Sequence, residues 1–330
     1  MQGGQMKKKL LIHFLIFIFV IFLADLMCYI GVYIWQVRLT KSNGFENVHF
    51  PSYFKNRLVF HDHSTLYFFE KDSRAMGFRE PCGLRYKGKA IWLFGGSFAY
   101  GADMTLSDGV PDDKTFGYFL SEAFKRPVYN RAYEGWGIQH MLYWLKKPET
   151  FEQLPEPEYV IFFHTSDNML KLVNITYDVW NNGAYLRYKL NKDGSLEEIK
   201  PFLEPLWNFY FVKAAFAAIE YKVFLSDKNF DKNFDLMKAI FLESKKIVNK
   251  KYPNSRFVIL KYNEVNGFGE DYYNSPRWDE LEKAGIVVVD AGKLINKDLK
   301  SEESVCPDKY HPSEKVLKEL AAALSAELQN

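Results

Sequence analysis

Residues 90–101 read Ala90-Ile91-Trp92-Leu93-Phe94-Gly95-Gly96-Ser97-Phe98-Ala99-Tyr100-Gly101. Five apolar residues without alternation, closed by a glycine pair, predict a strand covered on both faces and followed by a sharp turn. The turn would place Ser97 at the N-terminus of the next helix. Free backbone N–H groups and the positive end of the dipole stabilise an oxyanion there. A serine so placed suits a nucleophile; a plain N-cap serine is the alternative. A phosphate-binding loop is not expected, because no Gly-Lys-Ser/Thr accompanies the glycines.

An alternating rhythm continues on the C-terminal side. Residues 115–124 have helical spacing, 128–130 read as a short strand, 139–145 as a helix and 159–163 as a third strand. After about residue 230 come a helix at 234–249, strands at 257–260 and 286–289, and a last helix from about 313 to 328. In that helix Val316, Leu317, Leu320, Ala321, Leu324 and Leu328 mark one buried face. Strands alternating with helices imply the α/β class: a three-layer α/β/α sandwich around a five-stranded parallel sheet. The segment 170–230 breaks the rhythm. It holds an expected hairpin, 184–190 and 195–199 about the turn Asn191-Lys192-Asp193-Gly194, and an aromatic helix over 209–223. It is read as an insertion over the sheet edge or the active site.

On the N-terminal side, residues 10–35 form an apolar run broken by His13 and Asp25. At about 1.5 Å per residue the run spans roughly 39 Å, enough to cross a bilayer with tilt. Lys7, Lys8 and Lys9 precede it, which keeps the N-terminus in the cytoplasm. The run exceeds the apolar core of a signal peptide, and no small-x-small cleavage site closes it. The expected organisation is a cytoplasmic N-terminus at 1–9, an uncleaved membrane anchor at 10–35, a stalk and cap at 36–88, and an extracytoplasmic domain at 89–330. The chain has 330 residues, with 43 Lys+Arg against 41 Asp+Glu, a balance that points away from nucleic-acid binding. Three cysteines, Cys28, Cys82 and Cys306, do not make a disulfide scaffold or a cysteine-rich zinc module. Cys82 and Cys306 would lie outside the cytoplasm, either bridged or as two free thiols. His61-Asp62-His63 lacks an evident third ligand and reads as a solvated turn, so no metal is expected.

A nucleophilic serine needs a base. Among the seven histidines, His13 lies in the apolar run, and His49, His61 and His63 lie in the cap. His140 opens a helix, and His164 ends the third strand as a second candidate. His311 stands in Cys306-Pro307-Asp308-Lys309-Tyr310-His311-Pro312-Ser313, after the last strand and before the last helix. Asp308 is three residues earlier, a spacing that lets a carboxylate reach the imidazole Nδ1–H and leaves Nε2 for a serine proton. A polar loop capping the final helix is the alternative.

These blocks resemble the SGNH (GDSL-like) hydrolase superfamily, nearest to membrane-tethered bacterial members with a Gly-Gly-Ser block. Its serine block is matched by residues 95–101. Its second block, which carries an oxyanion glycine, is matched by Val128-Tyr129-Asn130-Arg131-Ala132-Tyr133-Glu134-Gly135-Trp136-Gly137. Its Asp-x-x-His pair is matched by Asp308 and His311, and the likeness covers roughly 89–330. The first block reads Gly-Gly-Ser where the family usually has Gly-Asp-Ser. The third, normally Gly-x-Asn-Asp, reads His164-Thr165-Ser166-Asp167-Asn168, so the implied amide donor, Asn168, is shifted by a position or two.

The resemblance implies a flavodoxin-like sheet, no cofactor, and acyl-ester chemistry. Ser97 would be the nucleophile, His311 the base and Asp308 its orienting carboxylate. Ser97 N–H, Gly135 N–H and the Asn168 amide would hold the oxyanion, and Asn130 would pin the second loop. With the domain outside the membrane, the expected substrate is an O-acylated cell-envelope polysaccharide, with water or a sugar hydroxyl as acceptor. A lipid or lysophospholipid esterase, and a non-catalytic glycan-binding or scaffold protein, are the alternatives. Tyr133 and Trp136 flank the second block and could stack on a sugar or simply pack in the core.

Overall fold

The computed structural model describes residues 79–101, 111–133, 136–173, 186–199, 230–263, 270–307 and 310–329, with scattered positions between 13 and 27. In chain order the first elements are β1 (Ala90–Gly95), α1 (Ser97–Tyr100), α2 (Phe116–Phe124), β2 (Val128–Asn130), α3 (Ile138–Leu145) and α4 (Pro148–Gln153). Next come β3 (Pro157–Thr165), α5 (Asp167–Val173), β4 (Arg187–Leu190), β5 (Leu196–Ile199) and α6 (Phe230–Lys251). The chain ends with β6 (Arg256–Tyr262), α7 (Glu270–Tyr273), α8 (Trp278–Lys283), β7 (Val287–Asp290), α9 (Ala291–Ile295) and α10 (Glu314–Gln329).

Five strands form one parallel sheet in the order β2-β1-β3-β6-β7. This five-stranded parallel sheet is consistent with the flavodoxin-like sheet that the resemblance implies. β1 lies second in the sheet, and all six of its residues are buried. Its side chains alternate between two cores. Ala90, Trp92 and Phe94 join Val160, Phe162, Phe257 and Ile259 beneath α3 and α6. Ile91 and Leu93 join Ile161, Phe163, Val258 and Leu260 beneath α2 and α10. Each large apolar side chain so buried contributes about 1.5–3 kcal/mol. A continuous apolar strand is thus what a sheet covered on both faces requires.

The helices answer the same demand. Val316, Leu317, Leu320, Ala321, Leu324 and Leu328 are the buried stripe of α10, as their spacing predicts. Thr115 caps α2 by accepting the Tyr118 N–H at 3.2 Å. α6 runs longer than its apolar pattern, beginning at Phe230 rather than 234. Arg277 binds Asp231 at 3.1 Å and also pairs with Asp235, tying the first turn of α6 to the segment before α8. That contact joins residues far apart in sequence and leaves no local signature.

β4 and β5 form the expected antiparallel hairpin, with Arg187 opposite Ile199 and Leu190 opposite Leu196. Gly194 takes φ 83° in the turn, and Asp193 accepts the Ser195 N–H at 3.0 Å. Residues 174–185 and 200–229 of the insertion, with the aromatic helix expected over 209–223, lie outside the described residues. So do the stalk and cap as far as residue 78, with His61-Asp62-His63.

Among the described residues no helix is long and apolar enough to cross a membrane. The described positions of 10–35 are helical; Ile16, Phe17, Phe19, Val20, Phe22, Leu23 and Met27 stand open, from Phe22 at 37% exposure to Met27 at 68%, while Ile21 and Leu26 are half-buried. Cys82 and Cys306 are free thiols rather than a bridge. Burial is the main cause that pushes the Cys82 thiol up to about 11, which leaves it protonated and unreactive at neutral pH.

Candidate active site

The carboxyl ends of β1, β2 and β3 meet where the chain reverses its direction across the sheet, the position where open α/β sheets form sites. Gly95 has φ 154°, and a Cβ there would stand 2.8 Å from Ala99 Cβ and 3.1 Å from the Phe163 carbonyl. Only glycine fits both the backbone conformation and the space. The chain then enters α1, where Tyr100 N–H donates to Gly96 O at 3.0 Å and Gly101 N–H to Ser97 O at 2.9 Å. As the first residue of that turn, Ser97 has no intrahelical acceptor for its own N–H. Its side chain is half-buried, between the fully covered Gly96 and Phe98.

The second loop is sewn onto this turn. Asn130 donates to Ala99 O at 2.8 Å and accepts the Ala132 N–H at 3.0 Å, the pinning role expected of it. Arg131 N–H reaches Leu93 O at 2.7 Å and Tyr133 N–H reaches Gly95 O at 3.3 Å. Gly135 itself lies outside the described residues, but Trp136 N–H closes back on Tyr133 O at 3.1 Å. Trp136 is 6% exposed and stacks on the His140 ring at 5.1 Å, so packing, not an open sugar platform, is its role. His140 is structural as well, its Nδ1 accepting the Gly137 N–H at 3.1 Å. Tyr133 is half-buried and meets the half-buried Tyr100 edge to face at 5.5 Å.

The third block comes from α5. Asn168 is fully buried; its Oδ1 accepts the Thr165 N–H at 2.9 Å and its Nδ2 donates to Trp136 O at 3.4 Å. A Cβ on Gly96 would stand 3.9 Å from that Nδ2. Despite the shift in the block, Asn168 therefore sits behind the residue that precedes Ser97. An amide nitrogen has two hydrogens, and the bond to Trp136 O uses one of them.

His311 arrives from the other end of the chain. Val305 pairs with Pro312, Cys306 N–H donates to His311 O at 2.6 Å, and Cys306 Sγ donates to Pro312 O at 3.1 Å. A free thiol thus braces this loop without a disulfide. The His311 ring packs against Phe98, the residue after Ser97, at 5.1 Å. Asp308 lies outside the described residues.

Solved structures to which this chain is similar include a protein described as lipolytic and of the G-D-S-L family from Desulfitobacterium hafniense DCB-2. It is 13% identical, with a TM-score of 0.41, over 72% of this chain and 99% of that one. A family 2 carbohydrate esterase from Corynascus thermopiles is 12% identical over 74% of this chain and 66% of its own, with a TM-score of 0.42. Esterase EstA from a Pseudoalteromonas species is 13% identical over 74% of this chain and all of its own, with a TM-score of 0.40. No family model and no curated protein matches the chain.

Two side chains that sequence reading passed over also hold the site. Arg79 donates Nε to Tyr100 O and Nη2 to Gly101 O, each at 3.1 Å, and lies over the Tyr100 ring at 4.6 Å. A cation on the last carbonyls of a helix is favourable, and this one clamps the far end of α1. Nothing local to Arg79 announces it. Lys171 is buried beside Asp167 at 2.8 Å, and the i,i+4 spacing of that pair on α5 was its one visible sign.

His164 is not a second base. Its ring is enclosed by Phe241, Tyr272 and Trp278, with Nε2 at 2.6 Å from the Tyr272 hydroxyl. Burial is the dominant cause that pushes its pKa down to about 3. Between pH 6.5 and about 3 the unfolded chain therefore takes up a proton that the folded chain refuses. The stability tied to the neutral ring is whole above pH 6.5 and is lost as pH falls, by up to about 1.4 kcal/mol per unit. His164→Gln should be less stable than wild type at pH 7, and urea midpoints should converge as pH falls to 4. A gap that stays constant over that range would mean the ring is not held neutral.

Proposed function

We propose that this chain is a membrane-anchored, extracytoplasmic serine esterase of the SGNH type that removes or transfers O-acyl groups on a cell-envelope polysaccharide. The observation that carries the reading is the convergence of three distant segments on one turn. Ser97 opens α1, the His311 ring packs on its neighbour Phe98, and the Asn168 amide lies behind Gly96.

In this mechanism Ser97 Oγ attacks the ester carbonyl while His311 takes its proton. Asp308 steadies the imidazolium. The carbonyl oxygen gains its charge against the Ser97 N–H, the Gly135 N–H and Asn168 Nδ2. Collapse expels the alcohol, which receives the proton from His311 and leaves an acyl-serine. Water, or a sugar hydroxyl, then repeats the sequence in reverse to free the enzyme. The Tyr100 and Tyr133 rings beside the turn are partly exposed, and aromatic side chains in that position support a sugar as the group that flanks the ester. The apolar run at 10–35 and the exposed side chains of its described positions support the anchor.

Full-length protein treated with a fluorophosphonate probe should gain the mass of one adduct, and Ser97→Ala none. A well-folded wild type without an adduct would favour the scaffold or glycan-binding alternative.

A further inference from the structure

Lys171 is the most deeply buried cation near the turn. Its side chain is 2% exposed, and its Nζ lies 2.8 Å from Asp167 Oδ2 and 3.4 Å from Trp136 O. A Cβ on Gly96 would meet the same Nζ at 3.3 Å. The ammonium therefore binds α5, which carries Asn168, and the loop after β2, and lies close to Gly96 in the turn before Ser97. The lysine backbone is tied in as well, since Gln139 Nε2 donates to Lys171 O at 3.0 Å. Asp167 also accepts a short hydrogen bond from Thr165 Oγ1.

A buried ion pair is a poor source of stability, because desolvation offsets the attraction, and an apolar or neutral replacement of both partners is often neutral or better. Fold stability alone does not call for this one. Its place gives it another use. Trp136 O is a carbonyl oxygen beside the turn that leads to Ser97, only 2.8 Å from a Cβ built on Gly96. Left unscreened, its negative end would oppose charge developing on a substrate oxygen. Two donors converge on it, Asn168 Nδ2 and Lys171 Nζ, each at 3.4 Å.

Resting on the serine-esterase reading above, we infer that Lys171 is a positioning residue for the oxyanion hole. It neutralises the Trp136 carbonyl, lets the Asn168 amide turn its second hydrogen to the substrate, and supplies a fixed positive charge behind Gly96. Asp167 holds the ammonium in place.

The test uses the full-length protein and the rate at which a fluorophosphonate modifies Ser97, since the phosphoryl oxygen takes up the oxyanion's place. The paired variant Lys171→Met with Asp167→Asn removes the cation without stranding a buried charge. Its thermal midpoint should stay near wild type while phosphonylation slows about 10²-fold. On an activated ester kcat should fall by a similar factor with KM little changed. Asp167→Asn alone keeps the ammonium and should lose less. A paired variant that is phosphonylated at the wild-type rate would overturn the role of Lys171 and leave the serine reading intact. A wild type that fails to react would overturn the serine reading and this inference with it.

Discussion

Ser97→Ala is expected to lower kcat/KM on an activated ester such as p-nitrophenyl acetate by about 10⁴-fold or more. The fold should survive the change. Ser97 holds α1 through its backbone carbonyl, which accepts the Gly101 N–H at 2.9 Å, and alanine keeps that bond. The thermal midpoint should therefore move little. His311→Ala should cost a similar factor, and the two together no more than either alone, because a nucleophile and its base fail as a unit. Steady-state kinetics on the three variants checks this. Losses that multiply in the double variant would mean that Ser97 and His311 do not act on one another.

Phe98→Ala should be the most damaging change outside the reacting groups. Phe98 is 3% exposed and lies among Phe163 at 6.1 Å, Tyr262 at 5.5 Å, Tyr310 at 5.2 Å and His311 at 5.1 Å. Truncating a buried phenylalanine costs about 3–5 kcal/mol through lost transfer energy and the cavity left behind. For a folded unit of this size that corresponds to a fall of roughly 6–20 °C in melting temperature. The ring is also the wall against which the His311 imidazole rests. With the wall gone, the base loses its position, and a shift of about 1 Å at a reacting group can cost about 10²-fold. Turnover measured well below the new melting point should fall by about that factor. Phe98→Leu should recover most of both losses. Unchanged turnover in folded Phe98→Ala would mean that the Cys306 and Pro312 contacts suffice to hold His311.

Much of the architecture was legible locally. Alternation and apolar runs located the five sheet strands, four long helices and the Asp-Gly hairpin, because each element's burial imposes its own period on the sequence. The misjudged limits fall where distant side chains decide. The first turn of α6 is held by Arg277, some forty residues on, and no pattern within 230–234 reports that.

The site divides along the same line. Gly95, Gly96 and Ser97 were readable because a turn directly after a buried strand needs those residue types whatever surrounds it. The Asp308 and His311 pair stood out by spacing and by its place before the last helix. Asn168 remained ambiguous in sequence; where its amide lies, against Trp136 O and near Gly96, depends on the length of β3 and the first turn of α5. His164 and Trp136 looked available and are buried.

An α/β chain with a serine turn after its first sheet strand can be read from the residues alone, because secondary structure and turn chemistry depend on neighbours a few residues apart. Only the tertiary structure decided which face each strand residue serves, that Arg79 clamps α1, and that Lys171 lies behind the turn. Those facts depend on contacts between residues 21 to 75 positions apart, and a cation's worth depends on which carbonyl and which carboxylate the fold brings to it.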